Sequence, residues 1–278
     1  MWQAVEPIHA VVYFAPETRE LYGQAGLKGY WMGYFASRAA AMGPVPPEVV
    51  IATFYNFHPD MVRRAIPDAW RFSSPEKVLA ARRAVADAAL RKVLGDEIAS
   101  ADIVAAAEVG RSAAEACTAE GRALYAAHAS LAWPDEPHLV LWHACTLLRE
   151  FRGDGHVAAL VSAQIDGCEA NVLIATAGVM PAEEQKKFRG WSDAEWDAAR
   201  SRLQERGSID EQGELTEQGH ELRNAIEART DQLAMGPIGR LGKEKTRTLI
   251  DEMRRISRKV VDAGALPFPN PMGLHRKT

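Results

Sequence analysis

With 278 residues the chain is long enough to bury a sizeable core in one large or two medium domains. Hydrophobic residues at 47% and charged residues at 25% exclude a disordered or fibrous protein. A net charge of −4 argues against a general affinity for nucleic acid.

The first residues, Met1 to Pro7, lack the basic start and apolar run of a signal peptide. No run reaches the roughly 18 apolar residues of a membrane span. Three cysteines without CxxC spacing argue against a disulfide framework or a thiolate zinc site. A cytoplasmic protein with no membrane partner is the expectation, and the sequence sets no oligomeric state.

Taken in order, residues 5–14 are apolar and β-branched, and periodicity leaves them open between a strand and a buried helix. A mostly buried helix is predicted from Tyr30 to Met42, closed by Gly43 and Pro44. Pro46-Pro47 opens another helix, which leads to Phe54-Tyr55-Asn56-Phe57-His58-Pro59, and a short helix follows with Met61, Val62 and Ala65 inward. Ser74-Pro75 starts a long alanine-rich helix that stops at Gly95, and residues 101–130 continue helical. Trp133-Pro134-Asp135-Glu136-Pro137 is the clearest break, which suggests domains at 1–130 and 131–278.

Beyond it the pattern gives a helix over about 138–152, a break at Gly153 and Gly155, and a short helix to Gln164. Asp166-Gly167 reads as a turn, Cys168 to Ala177 as a helix, and 178–190 as irregular. Ser192 and Glu195 form a capping box with Trp191 and Trp196 as its hydrophobic staple, starting a helix to Arg206. Ser208 to Thr216 reads as a tight β-hairpin, followed by a helix to about Leu233. The last helix, Lys243 to Ala263, carries Leu249, Met253, Ile256 and Val260 on one stripe, and the proline-rich tail at 267–273 is expected to be extended.

The fold class expected is mainly α, with two winged-helix-like halves and a short β-hairpin wing. The stretch from Leu203 to Asp210 with Leu215-Thr216-Glu217-Gln218-Gly219 resembles the recognition-helix end and wing of MarR-like regulators, over about 75 residues. Trp31-Met32-Gly33-Tyr34-Phe35, Phe54-Tyr55-Asn56-Phe57, Leu141-Trp142-His143-Ala144 through His156, and Asn270-Pro271-Met272-Gly273 resemble an actinobacterial helix-turn-helix family along nearly the full length. The chain departs from that pattern at Phe151, where histidine is expected, so no third imidazole is available there.

An internal repeat is also suggested. At an offset of 110, Tyr30–Ala65 lies on Val140–Ala175, Gly43 on Gly153, and Asn56-Phe57 on Asp166-Gly167. A tandem duplication would make the chain a pseudo-dimer packed about a pseudo-twofold axis.

A winged helix binds DNA by placing its recognition helix in the major groove, with lysines and arginines neutralising phosphates. Here Ser192 to Glu217 holds eight acidic side chains against Arg200, Arg202 and Arg206, the wrong balance for that work. The basic residues lie on the last helix, where a solvated face accounts for them.

The densest chemistry is on the helix after Pro137. His143 and Glu150 share a face at the edge of its apolar arc, where pairing would raise the histidine pKa, and Asp154 and His156 follow the glycines. A catalytic reading makes His143 or His156 the general acid/base, oriented by Glu150 or Asp154, with Arg149 or Arg152 holding an anionic group and Trp142 beside them. The structural alternative is an ion-pair network of Arg149, Glu150, Arg152 and Asp154 clamping two domains, with His156 capping the next helix. At the offset of 110 the five ionisable residues face Gly33, Ala39, Ala40, Pro44 and Pro46, an asymmetry that favours a local task.

The aromatics Trp31, Tyr34, Phe35, Phe54, Tyr55 and Phe57 either fill the core or wall an apolar ligand pocket. His143, Glu150, Asp154 and His156 match no metal-site spacing, so neither metal nor cofactor is expected. Two functions remain open: a small-molecule-handling protein, as a cofactor-independent acid–base enzyme or binder of an anionic or aromatic ligand, and a MarR-like ligand-responsive regulator that binds DNA.

Overall fold

Helix α1 (Trp2–Phe14) is buried from Ala4 to Tyr13 without interruption. A helix apolar on all sides has no stripe to betray its period, which is why the sequence left it open between strand and helix. The structure, a computed structural model, describes residues 2–268, 270 and 274. The tail at 269, 271–273 and 275–278, and with it most of the segment expected to be extended, lies outside the described residues.

After α1 come α2 (Glu17–Gln24), α3 (Gly29–Ala39), α4 (Pro47–Phe54), α5 (Pro59–Arg63), α6 (Asp68–Phe72) and α7 (Pro75–Leu94). α8 (Ala101–Glu115) and α9 (Ala123–Ala129) lead to α10 (Pro137–Ser162). The remainder is α11 (Gly167–Thr176), α12 (Ala182–Arg189), α13 (Asp193–Glu205), α14 (Glu217–Ala234), α15 (Gly236–Leu241) and α16 (Lys243–Asp262). The protein is mainly α, and among the described residues it has no strand. No single described helix is long and apolar enough to cross a membrane.

Local chemistry sets several of these boundaries as expected. The Ser74 hydroxyl accepts from the Lys77 N–H, Pro75 occupies the first position of α7, and Gly95 ends it at φ 52°. The Ser192–Glu195 capping box forms at α13, and Trp191 and Trp196 both join the hydrophobic cluster beneath. On α16, Leu249, Met253, Ile256 and Val260 are all at most 1% exposed and seal the helix onto α1 and α8.

Three readings change. The segment 178–190 is not irregular but holds α12, with Glu183 and Glu184 in its first turn and Lys186, Lys187 and Arg189 in its last, the distribution a helix dipole favours. The β-hairpin wing is reduced to one antiparallel bridge, Ile209–Leu215, because Asp210 to Glu214 are polar and leave a single apolar pair to hold a ladder. Where the first half would need its own wing, a 3-10 turn (Gly95–Ala99) runs directly into α8, so neither half carries wing strands.

The third change matters most for the site. α10 runs through Gly153 and Gly155 without a break, and His156 lies inside it rather than capping another helix. Each glycine costs about 1 kcal/mol against alanine in a helix, but α10 is enclosed by α1, α7, α8, α9 and α14, and this packing outweighs the local preference. Gly155 is small for contact rather than for turning: a Cβ there would stand 2.8 Å from Arg122 Nη1 and 3.3 Å from Leu233 Cβ.

The main core draws on α1, α3, α7, α8, the first half of α10 and α16, from Ala4 to Leu274, on both sides of the Trp133–Pro137 break. A second cluster gathers the end of α10 with α11, α13 and α14 around Leu160, Ile165, Leu203, Ile209 and Ile226.

Candidate functional site

Between α3, the α4–α5 turn, α12 and the middle of α10 lies a cavity of about 140 Å³. One wall is aromatic. Tyr30 and Tyr34 stack at 6.3 Å between ring centroids, and Tyr34 lies 5.0 Å from Tyr13 and 5.5 Å from Phe57. Trp31, Phe54 and Tyr55 extend that wall, and Tyr30 at 45% exposure marks its mouth.

The opposite wall is the charged face of α10. Glu150, 1% exposed, accepts from Arg38 Nη2 at 3.1 Å and from Arg149 Nη1 at 2.6 Å, and Arg149 also pairs with Glu6 at 3.4 Å. Burial pushes the Glu150 carboxyl up, but Arg149 and Arg38 outweigh it and hold it well below the usual range. Arg38 also donates to the Tyr34 hydroxyl at 3.1 Å and lies 4.2 Å from the Phe54 ring, joining the charged wall to the aromatic one.

Asp154 and His156 complete the lining. Asp154 accepts from the Tyr125 N–H at 2.9 Å, and burial lifts its carboxyl to about 6 against that bond. His156 Nδ1 lies 2.9 Å from Thr230 Oγ1, which donates its own proton to the Ile226 carbonyl. Nδ1 is therefore the donor, which leaves Nε2 as the imidazole's lone pair. Burial lowers the His156 pKa, so the ring is neutral.

The residues singled out from the sequence thus divide. Arg149, Glu150, Asp154, His156, Tyr34, Phe54, Tyr55 and Phe57 line this one cavity. His143 and Trp142 line a second cavity, and the Trp142 indole donates to the His9 carbonyl at 3.4 Å. Arg152 faces a third, where it pairs with Glu227 at 2.9 Å and Asp231 at 3.1 Å on α14.

The expected His143–Glu150 pairing does not form, because seven residues on a helix span about 10 Å along its axis. The direction of the His143 pKa is also reversed: burial and the charge of Arg82 depress it to about 4. The ring instead meets Trp133 edge-on at 4.7 Å.

Glu6, Arg38 and Arg189 line the cavity and went unremarked in the sequence. Glu6 and Arg38 had a signal: each is a lone charge in an otherwise apolar buried helix, which requires a buried partner. Arg189 had none, since α12 itself was not recognised. Among the described residues no three His, Cys, Asp or Glu side chains gather closely enough to hold a metal ion.

The region from α11 to α13 is docked on the first half of the chain. His58 Nε2 lies 2.7 Å from Glu195 Oε1, and the Trp191 indole donates to the Asn56 carbonyl at 3.1 Å. Arg202 and Arg206 pair with Glu169 at 2.9 and 2.7 Å, and Arg202 also with Asp166. No curated protein and no solved structure matches the chain. One family model does, described as a helix-turn-helix family and matching residues 1–267. A match of that extent carries a conclusion the helical architecture agrees with: the chain belongs to this helix-turn-helix family.

Proposed function

We propose that the cavity between the Tyr30–Phe57 aromatics and α10 binds a small aromatic molecule, and that Asp154 and His156 exchange protons with it. One observation carries this reading. A wall of packed aromatic rings faces a carboxyl lifted to about 6 and a neutral imidazole whose Nε2 is left as an acceptor. An aromatic ligand suits the site better than a strongly anionic one, because Arg38 and Arg149 are already matched by Glu150 and Glu6. A proton donor on its ring, a hydroxyl or an amine, would find acceptors in Asp154 and His156.

Gly153 offers a clean test. A Cβ there meets only ordinary contacts, 3.5 Å from Arg149 Nη1 and 3.7 Å from Glu150 Oε2. Gly153→Leu should therefore fill the cavity while improving helix propensity by about 0.5–1 kcal/mol. Phenols and aromatic amines are expected to raise the melting temperature of the wild type and to leave that of the leucine variant unchanged. Equal shifts in both proteins, or none in either, would sink the proposal.

Membership of a helix-turn-helix family supports a second reading, a DNA-binding regulator, and we propose for that case a MarR-like arrangement in which the same ligand controls DNA binding. Fold class alone does not carry it. On the helix that would enter the groove, α13, one of the two arginines, Arg202, is paired within the protein, as is Arg206 just past its end, and Glu195 in its first turn contacts His58.

We also infer that the two halves descend from a duplication. Residues at the offset of 110 meet each other: the Tyr55 hydroxyl donates to the Ile165 carbonyl at 2.6 Å. A Cβ on Gly167 would fall 2.2 Å from the Tyr55 carbonyl oxygen, two positions along the same correspondence. Each turn contains a non-glycine residue at positive φ, Tyr55 at 49° and Gln164 at 55°. A contact between counterpart turns is what a pseudo-twofold axis passing between them requires.

A further inference from the structure

A second cavity, about 300 Å³, opens between α7, α9 and the first turns of α10. Its rim carries the partly exposed Leu79, Leu131 and Pro134 together with the exposed Glu76 and Arg83, and its inner wall carries Arg82, His128 and His143. Arg82 is 1% exposed and heads the fully buried side chains by volume. Of its five guanidinium N–H donors, Nη2 uses one on the Tyr13 hydroxyl at 3.4 Å, and Nε and Nη1 have no partner. No described carboxylate forms an ion pair with it; the rings of Tyr13 and Trp142 lie 5.4 Å away, and the Tyr22 hydroxyl and the more distant Glu150 act on it through space.

This is anomalous for the molecule. Other arginines inside it have partners: Arg38 and Arg149 are matched by Glu150, Arg152 by Glu227 and Asp231, and Arg122, which has no ion pair, donates to the Phe151 and Leu233 carbonyls. A guanidinium buried without a counterion carries its full desolvation penalty. The neighbouring imidazoles supply no negative charge. His128 is held neutral by burial and by Arg82, at about 3, and His143 Nε2, also buried, has no hydrogen-bond partner.

We infer that this cavity is a second ligand site, which takes a small monocarboxylate with an apolar body: the carboxylate accepts from Arg82 and from His143 Nε2–H, and the body lies against Leu79, Leu131 and Trp142. A single charge fits because one buried cation is unmatched, while the exposed Glu76 and Arg83 at the rim carry opposite charges and add no net one. The site is distinct from the first cavity but joined to it. Arg82 donates to the Tyr13 hydroxyl, which is also hydrogen-bonded with His9 Nε2 at 3.0 Å, and Tyr13 lines the first cavity.

Isothermal titration of the full chain at constant ionic strength tests this with benzoate and phenylacetate as probes, and benzamide and chloride as controls. The carboxylates should bind saturably and the controls should not. Arg82→Met should weaken the carboxylates at least tenfold, whereas Gly153→Leu, which blocks only the first cavity, should leave them unchanged. Where Arg82→Met fails to fold, Leu131→Trp, which fills the rim, should produce the same tenfold loss. Absence of saturable carboxylate binding to the wild type, equal binding of benzamide, or unchanged affinity in the folded blocking variants overturns the inference.

Discussion

Burial lifts the Asp154 carboxyl from 3.8 to about 6, although it accepts a hydrogen bond from the first turn of α9. Its folded pKa thus lies above its unfolded value, so the protonated form favours folding. That contribution is complete below about pH 4 and is lost as the pH rises through 6. At neutral pH the ionised carboxylate is a liability of up to about 3 kcal/mol, at ~1.4 kcal/mol per unit. Such a cost is tolerable for a group that handles protons near neutrality and hard to rationalise for a helix cap alone. Asp154→Asn keeps an acceptor for the Tyr125 N–H and removes the titration. Urea unfolding between pH 4 and 7 should show the wild type losing stability relative to the variant as pH rises. Parallel curves would remove the basis for proton chemistry at this position.

At the scale of elements, Glu150 is the counterion through which α10 holds α3 and its own Arg149. Removing one partner of a buried pair costs about 3–5 kcal/mol, because a charge is left inside without compensation. The two sides of this network are not equivalent. Arg38→Met leaves Glu150 paired with Arg149, whereas Glu150→Gln leaves Arg38 without a counterion, held only by the Tyr34 hydroxyl and the Phe54 ring, and leaves Arg149 with Glu6 as its sole counterion. Chemical unfolding should therefore find Glu150→Gln more destabilising, by about 3 kcal/mol or more, and Arg38→Met the milder change. The opposite order would mean that the cluster is held by Glu6 rather than by Glu150.

The same helix shows what sequence alone conveys. Capping residues such as Ser74 and Ser192 and the apolar stripe of α16 act locally or at a fixed period, so those elements were legible. The course of α10 through two glycines was not, because tertiary packing on five other helices decides it. The aromatic group and the charged segment were each visible, yet about a hundred residues apart. Nothing local says that they face each other across one cavity, or that His143, two turns from Glu150, belongs to a different one.

At the scale of the whole molecule, the question is whether a helix-turn-helix chain of net charge −4 still binds DNA. Affinity for a duplex comes largely from phosphate neutralisation and falls steeply with salt. Arg202 on α13 and Arg206 just past its end already pair with Glu169, which leaves Arg200 against the four acidic residues of that helix. The first turn, which would reach base edges, is held by the His58–Glu195 contact to the α4–α5 side. If the fold serves as a scaffold for ligands, releasing that contact should uncover no DNA-binding surface. Fluorescence anisotropy with a labelled duplex of about 20 base pairs, at salt from roughly 50 to 200 mM, should then show no saturable binding for the wild type or for His58→Ala. Saturable binding that weakens linearly on a log–log salt plot, and strengthens in His58→Ala, would instead make the docked α13 a latch on a DNA reader.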